Sequence, residues 1–160
     1  MTVSSARRAE TLAFRLIAFA ETLFPDDESH LFVLADQDIV DTAIQFAINA
    51  RRFLADSHPE ASSIEIELMD KEYKPTYPLE TNLLRVLHGI IHSHYLYSEY
   101  IEQEHPTFKS ASGKLVKGLM FETDRYPRKC VHLASLAHTY LKYGSARDLI
   151  LGGPLNQKVS

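Results

Sequence analysis

DQDIVDTAIQFAINARRFLA, Asp36 to Ala55, decides the fold class. Ile39, Ala43, Phe46, Ala47, Ala50, Phe53 and Leu54 recur at three- and four-residue spacings, which gather side chains on one face of an α-helix. Val40, Ile44 and Ile48 carry the apolar surface nearly all the way round. Only Asp41, Gln45, Asn49 and Arg52 leave a polar strip, again at helical spacing. The stretch predicts a helix over 37–55, capped by Asp36 and covered on several sides.

Towards the N-terminus, Ala9, Leu12, Ala13, Leu16, Ile17 and Ala20 predict a first helix over 5–23, with Ser4 or Ser5 as its cap and Pro25 at its end. Leu79, Leu83, Val86, Leu87 and Ile90 predict a helix over 79–94, with Thr76 and Pro78 at its start. Residues 95–104 either prolong it or turn outward, and His105-Pro106 ends any helix there. A last helix is expected over 128–143, stopped by Gly144, with a short helical turn at 145–150. Ile64, Ile66 and Leu68 alternate with acidic residues, as a half-buried strand does. Lys114 to Thr123 is the expected partner strand, after a turn at Ser110 to Gly113. The fold class is therefore mainly α: a bundle of four or five helices with a small antiparallel β element. Residues 1–150 read as a single helical domain and 151–160 as a flexible C-terminal tail.

A chain of 160 residues, 45% hydrophobic and 24% charged, can bury a core without a staple. Its one cysteine, Cys130, forbids an internal disulfide and suits a reducing compartment, so a cytoplasmic location is expected. No leader-like segment and no apolar run near ~20 residues is present, so no membrane span is expected. The net charge of −4 argues against a chain-wide nucleic-acid surface. The distribution is uneven, however. Lys109, Lys114, Lys117, Arg125, Arg128 and Lys129 crowd into 109–129 and are either solvated surface or a local anion-binding face.

The chemistry concentrates in RVLHGIIH, Arg85 to His92. Arg85, His88 and His92 lie three and four residues apart, so at about 100° per residue they fall on one strip with Thr81, away from the Leu83–Leu87–Ile90 face. Gly89 flanks that strip and permits close approach of another group. Histidine can take a proton from a ribose 2′-hydroxyl or return one to a leaving 5′-oxygen. Arginine can hold the phosphate and stabilise charge building on it. Such a site needs no cofactor and acts on RNA, because the nucleophile is the 2′-hydroxyl.

This arrangement resembles the R-x(4–6)-H signature of the HEPN superfamily. AINARRF, Ala47 to Phe53, and GIIHSH, Gly89 to His94, look like the early and later helical segments of small members, so the resemblance covers residues 36–94. It departs from the pattern in having the longest interval, six residues, and Val86 where a polar residue often follows the arginine. The resemblance implies a helical-bundle homodimer acting as a metal-independent ribonuclease, of the kind found in toxin–antitoxin, antiphage or RNA-processing systems, though some members are non-catalytic. Arg85 and His92 then carry the catalytic roles, with His88, Asn49 and Arg52 as accessory candidates. RNA and a protein partner such as an antitoxin are the implied partners.

Two other readings compete. One is a non-catalytic helical module that binds a protein, with Arg85 paired to a carboxylate such as Glu80 or Glu99. The other is a metal-binding bundle, with His88 and His92 at i and i+4 and a third ligand from Cys130, His132, His138 or Asp41. Cys130, after Arg128 and Lys129 near an expected helix start, is either a stabilised thiolate or plain packing. Tyr95, Tyr97 and Tyr100 either stack on bases or pack in the protein.

Overall fold

A computed structural model describes residues 2–26, 29–66, 68–69, 82–104, 107, 112–125 and 128–144. Four helices and a five-stranded antiparallel sheet make up the described residues: α1 (Thr2–Ala20), β1 (Leu23–Pro25), α2 (Ser29–Ser57), β2 (Leu68–Met69), α3 (Leu83–Ile91), β3 (Tyr95–Glu104), β4 (Ser112–Glu122), β5 (Lys129–His132) and α4 (Leu133–Gly144). A 3-10 turn, Pro59–Ser63, follows α2. The fold is mainly helical with a modest antiparallel sheet, as the periodicities predict.

The helices pack through the apolar faces read from the sequence. Ala6, Ala9, Leu12, Ala13 and Leu16 of α1 and Ile39, Ala43, Phe46, Ala47, Ala50, Phe53 and Leu54 of α2 are all buried. The many alanines let α1 and α2 approach closely, and an exposed Arg15–Asp38 ion pair at 3.1 Å links them outside the core. Tyr140 of α4 is buried edge-on against Phe46, ring centroids 5.3 Å apart. Its hydroxyl has no hydrogen-bond partner among the described residues.

The sheet is larger than the sequence suggests. β4 is its hub: β3 runs along one edge from Tyr95↔Glu122 to Glu104↔Ser112, with a bulge between Glu99 and Tyr100. The other edge is shared by β1, opposite 113–115, and β5, opposite 118–121. β2 closes the far side by pairing with β5. The expected partnership of 64–68 with 114–123 is thus replaced: β5 lies between them. Ile64 and Ile66 are buried, but Glu65 makes only an isolated bridge, with Asn82.

Boundaries shift where tertiary contacts outweigh local pattern. α2 begins at Ser29 rather than 37, so Asp36 lies inside the helix. Its carboxylate accepts hydrogen bonds from the backbone N–H (3.2 Å) and hydroxyl of the buried Ser98 on β3. Residues 95–104, left open between helix and turn, form the edge strand β3, whose Glu99, Glu102 and Glu104 discourage further pairing. The expected helix start at 128 is instead β5, because Cys130 and Val131 fill ladder positions opposite Met120 and Leu119. His132 then caps α4: its Nδ1 accepts the Ser135 N–H at 3.3 Å. Thr76, Pro78, Leu79, Glu80, Thr81, His105-Pro106, the helical turn at 145–150 and the tail 151–160 lie outside the described residues.

Candidate functional site: an Arg–His strip between two clefts

α3 is short, and both its ends are pinned. At the start, Asn82 Oδ1 accepts the Arg85 N–H at 3.0 Å, and the Leu83 N–H donates to the Ile64 carbonyl at 2.8 Å. At the end, the His92 N–H donates to the His88 carbonyl at 3.0 Å, and the His94 N–H crosses to the Glu122 carbonyl of β4 at 2.9 Å. That last bond turns the chain into β3, so the helix stops at Ile91 and His92 caps it rather than continuing it.

Leu83, Val86, Leu87, Gly89 and Ile90 face the core. Gly89 is buried because α3 lies directly on Phe121 of β4: a Cβ added at Gly89 would stand 2.6 and 2.9 Å from two carbons of that ring. The close approach that Gly89 permits is therefore made by the core. Arg85, His88 and His92 occupy the opposite, exposed face.

Two clefts flank this strip, and His88 lines both. One, of about 350 Å³, is lined by His88, His92, Thr123, Asp124 and Arg125. The other, of about 320 Å³, is lined by Arg51, Ala55, Leu84, Arg85 and His88. The imidazoles of His88 and His92 are tilted against each other with centroids 4.3 Å apart. Desolvation lowers the pKa of His88, and His92, Arg51 and Arg125 push it lower by electrostatic repulsion. No described carboxylate pairs with Arg51, Arg85 or Arg125, which leaves a concentration of positive charge on a chain of net charge −4.

Arg85 and His92 share the strip but line different clefts, with His88 between them. Arg52 is exposed on α2 and lines neither; its neighbour Arg51 does. Asn49 spends its side-chain amide on the Gln45 carbonyl of its own helix, at 2.8 Å. Sequence reasoning did not single out Arg51, Thr123 or Asp124. Arg125 belonged to the basic run, but its distance from α3 in the chain hid their shared cleft.

His94 turns off the strip. Its ring nitrogens lie 3.5 Å from Glu122 Oε1 and 3.5 Å from Asp124 Oδ1, and its ring stands 5.2 Å from that of Tyr95. Among the described residues no group of three or more His, Cys, Asp or Glu side chains is arranged to hold a metal, so His88 and His92 find no third ligand there. Cys130 is buried on β5, not at a helix start, and burial pushes its thiol up to about 12, so it stays protonated at neutral pH. Tyr100 packs edge-on against Phe32 at 4.8 Å, and Arg128 sits over the Tyr97 ring at 5.9 Å. Tyr95 is 57% exposed.

No described helix is long and apolar enough to cross a membrane. Comparison with protein-family models, with curated proteins and with solved structures gave no match.

Proposed function

We propose that this protein is a HEPN-like, metal-independent endoribonuclease, working as a homodimer and held in check by a protein partner of the antitoxin kind. The observation that carries the reading is the exposed Arg85–His88–His92 strip, set between two clefts whose arginines have no described carboxylate partner. In the reaction, His92 accepts the proton of a ribose 2′-hydroxyl. The 2′-oxygen attacks the adjacent phosphorus, the bond to the 5′-oxygen breaks, that oxygen takes up a proton from solvent as it leaves, and His92 returns its own proton to solvent. Arg85 stabilises the extra negative charge on the phosphoryl oxygens during the exchange. Exposed Phe14, Leu31, Val33 and Leu34 supply apolar surface of the kind that self-association covers.

The test is cleavage of single-stranded RNA in EDTA. The expected products carry 2′,3′-cyclic phosphate and 5′-hydroxyl ends, and DNA and 2′-O-methyl RNA survive. His92→Ala loses about 10²–10⁴-fold in rate, the usual worth of positioned proton transfer. Arg85→Ala is also severely impaired. Folded wild-type protein that leaves varied RNA substrates intact would sink the ribonuclease reading in favour of a non-catalytic binding module.

A further inference from the structure

Three features near α3 have no part in bond cleavage as described: Arg51 on α2, Arg125 beyond β4, and the exposed ring of Tyr95. The two arginines sit in different clefts with only His88 common to both, so the clefts are neighbours separated by one imidazole. Each cleft holds at least one guanidinium without a described carboxylate partner, and the first adds the Thr123 side chain. One carboxylate, Asp124, lines the first cleft; it is almost fully solvated and directed at His94, 3.5 Å away. Thus the balance in both clefts favours an anion, and the repetition favours one with two charged groups in series. Tyr95 lines neither cleft and stands on the sheet face of Glu122, opposite the Phe121 face that carries α3, but it reaches the rim of the first cleft through His94. Its residue pairs with Glu122, the residue before Thr123, and its ring touches His94, which in turn meets Asp124.

We infer that the clefts on either side of His88 hold consecutive phosphates of one single-stranded RNA, one at Arg51 and Arg85 and the next at Arg125 and Thr123, with a base stacked on Tyr95. The choice of RNA as occupant rests on the ribonuclease reading. A single strand is required because a base must leave its own stack to lie on an aromatic ring. Guanidinium groups bind phosphate oxygens through paired N–H donors, which suits Arg51 and Arg125 to positioning rather than proton transfer.

Binding is separable from cleavage with a fluorescein-labelled 2′-O-methyl oligouridylate, which lacks the attacking hydroxyl. Fluorescence anisotropy gives its affinity as a function of salt. For a single strand the logarithmic salt slope falls by about 0.7 for each phosphate contact removed. Arg51→Gln and Arg125→Gln should each lower the slope by about that amount. Arg15→Gln, which removes the same charge from the Arg15–Asp38 pair far along α2, should leave it unchanged. Tyr95→Ala should weaken binding at least about fivefold without altering the slope, and Tyr95→Phe should restore it. All these positions are exposed, and thermal melting verifies that each variant is folded. Absence of wild-type binding, slopes unaltered in both cleft variants, or undiminished affinity in Tyr95→Ala would overturn the inference. If the methylated strand binds as described while unmodified RNA is never cut, the ribonuclease reading fails and the track stands. Cleavage with unaltered slopes in the arginine variants has the opposite meaning.

Discussion

Gly89→Ala is the smallest change that reaches both the core and the candidate site. Inside a helix, alanine is better than glycine by about 1 kcal/mol, so local propensity favours the variant. The surroundings oppose it. The new methyl would sit 2.6 and 2.9 Å from two Phe121 ring carbons, whereas carbons in contact prefer about 3.5–4.0 Å. Phe121 is only 3% exposed and belongs to the main core, so the ring has no solvent to retreat into. Relief requires either the ring or α3 to move by about 1 Å, and overpacking of this kind costs about 1–3 kcal/mol. The upper part of that range applies to a ring held on all sides, which leaves a net loss of about 1–2 kcal/mol.

Urea denaturation measures this directly. With a slope of about 2 kcal/mol/M, the midpoint should drop by about 0.5–1 M. A second background isolates the cause. Phe121→Leu removes the ring edge, so adding Gly89→Ala to it should cost nothing or stabilise, giving a favourable coupling of at least about 1 kcal/mol. RNA cleavage should also fall under conditions where the variant is fully folded, because lifting α3 off β4 separates His88 and His92 from Thr123 and Arg125. A Gly89→Ala protein as stable as wild type, or equally destabilised in the Phe121→Leu background, would mean that the Phe121 ring does not oppose the added methyl.

Tyr140→Phe should raise stability by about 1 kcal/mol in the same urea assay, since it removes a buried hydroxyl without a described partner and keeps the ring against Phe46. His132 is held below its usual pKa by burial and by Lys117, so the unfolded chain binds its proton first; its contribution is complete above about pH 6.5 and is lost as pH falls towards the lower folded value. His132→Asn keeps an acceptor for the Ser135 N–H, and its stability should fall less between pH 7 and pH 5 than that of wild type, although His88 contributes with the same sign in both. Light scattering at tens of micromolar should give a dimer mass, reduced towards the monomer by Leu34→Glu; a strictly monomeric wild type would remove the dimer proposal.

The helical faces were legible because burial follows the helical period: every residue placed on the apolar face of α2 is buried. The strands were harder. Leu96, Ser98 and Tyr100 gain their direction from β4, and 129–132 runs without a break into α4, so a helical pattern read back from α4 took in a strand whose Val131 is buried through β4 instead. Asp36 illustrates the same limit. As a local cap it satisfies a pattern, but a buried hydroxyl 62 residues later offers it a better use. Within the candidate site, one helix wheel was enough to align Arg85, His88 and His92. What stands opposite them was not, because Arg51 lies one position off the polar strip of α2 and Arg125 arrives through the β4–β5 connection. Helical spacing describes one element's faces; only packing says what another element lays across them.

The depressed proton affinity of His88 links the binding and chemical halves of the proposal. Desolvation is the first cause of this lowering, repulsion from His92, Arg51 and Arg125 adds to it, and no described carboxylate in ion-pair contact offsets that repulsion. A phosphate placed in either cleft brings negative charge into the same field and therefore favours protonation of His88. By linkage, a protonated imidazole strengthens phosphate binding by the same factor. In the free protein the lowered pKa of His88 leaves its imidazole neutral beside His92, the residue that accepts the 2′-hydroxyl proton in the proposed reaction. Once that proton is taken, the new imidazolium lies beside a phosphorane of greater negative charge, where it is more stable than in the empty cleft. The same cations that lower the pKa of His88 in the free protein are those that would draw the phosphate in. A basic cluster without a described carboxylate partner thereby gains its counter-charge when the proposed RNA strand binds.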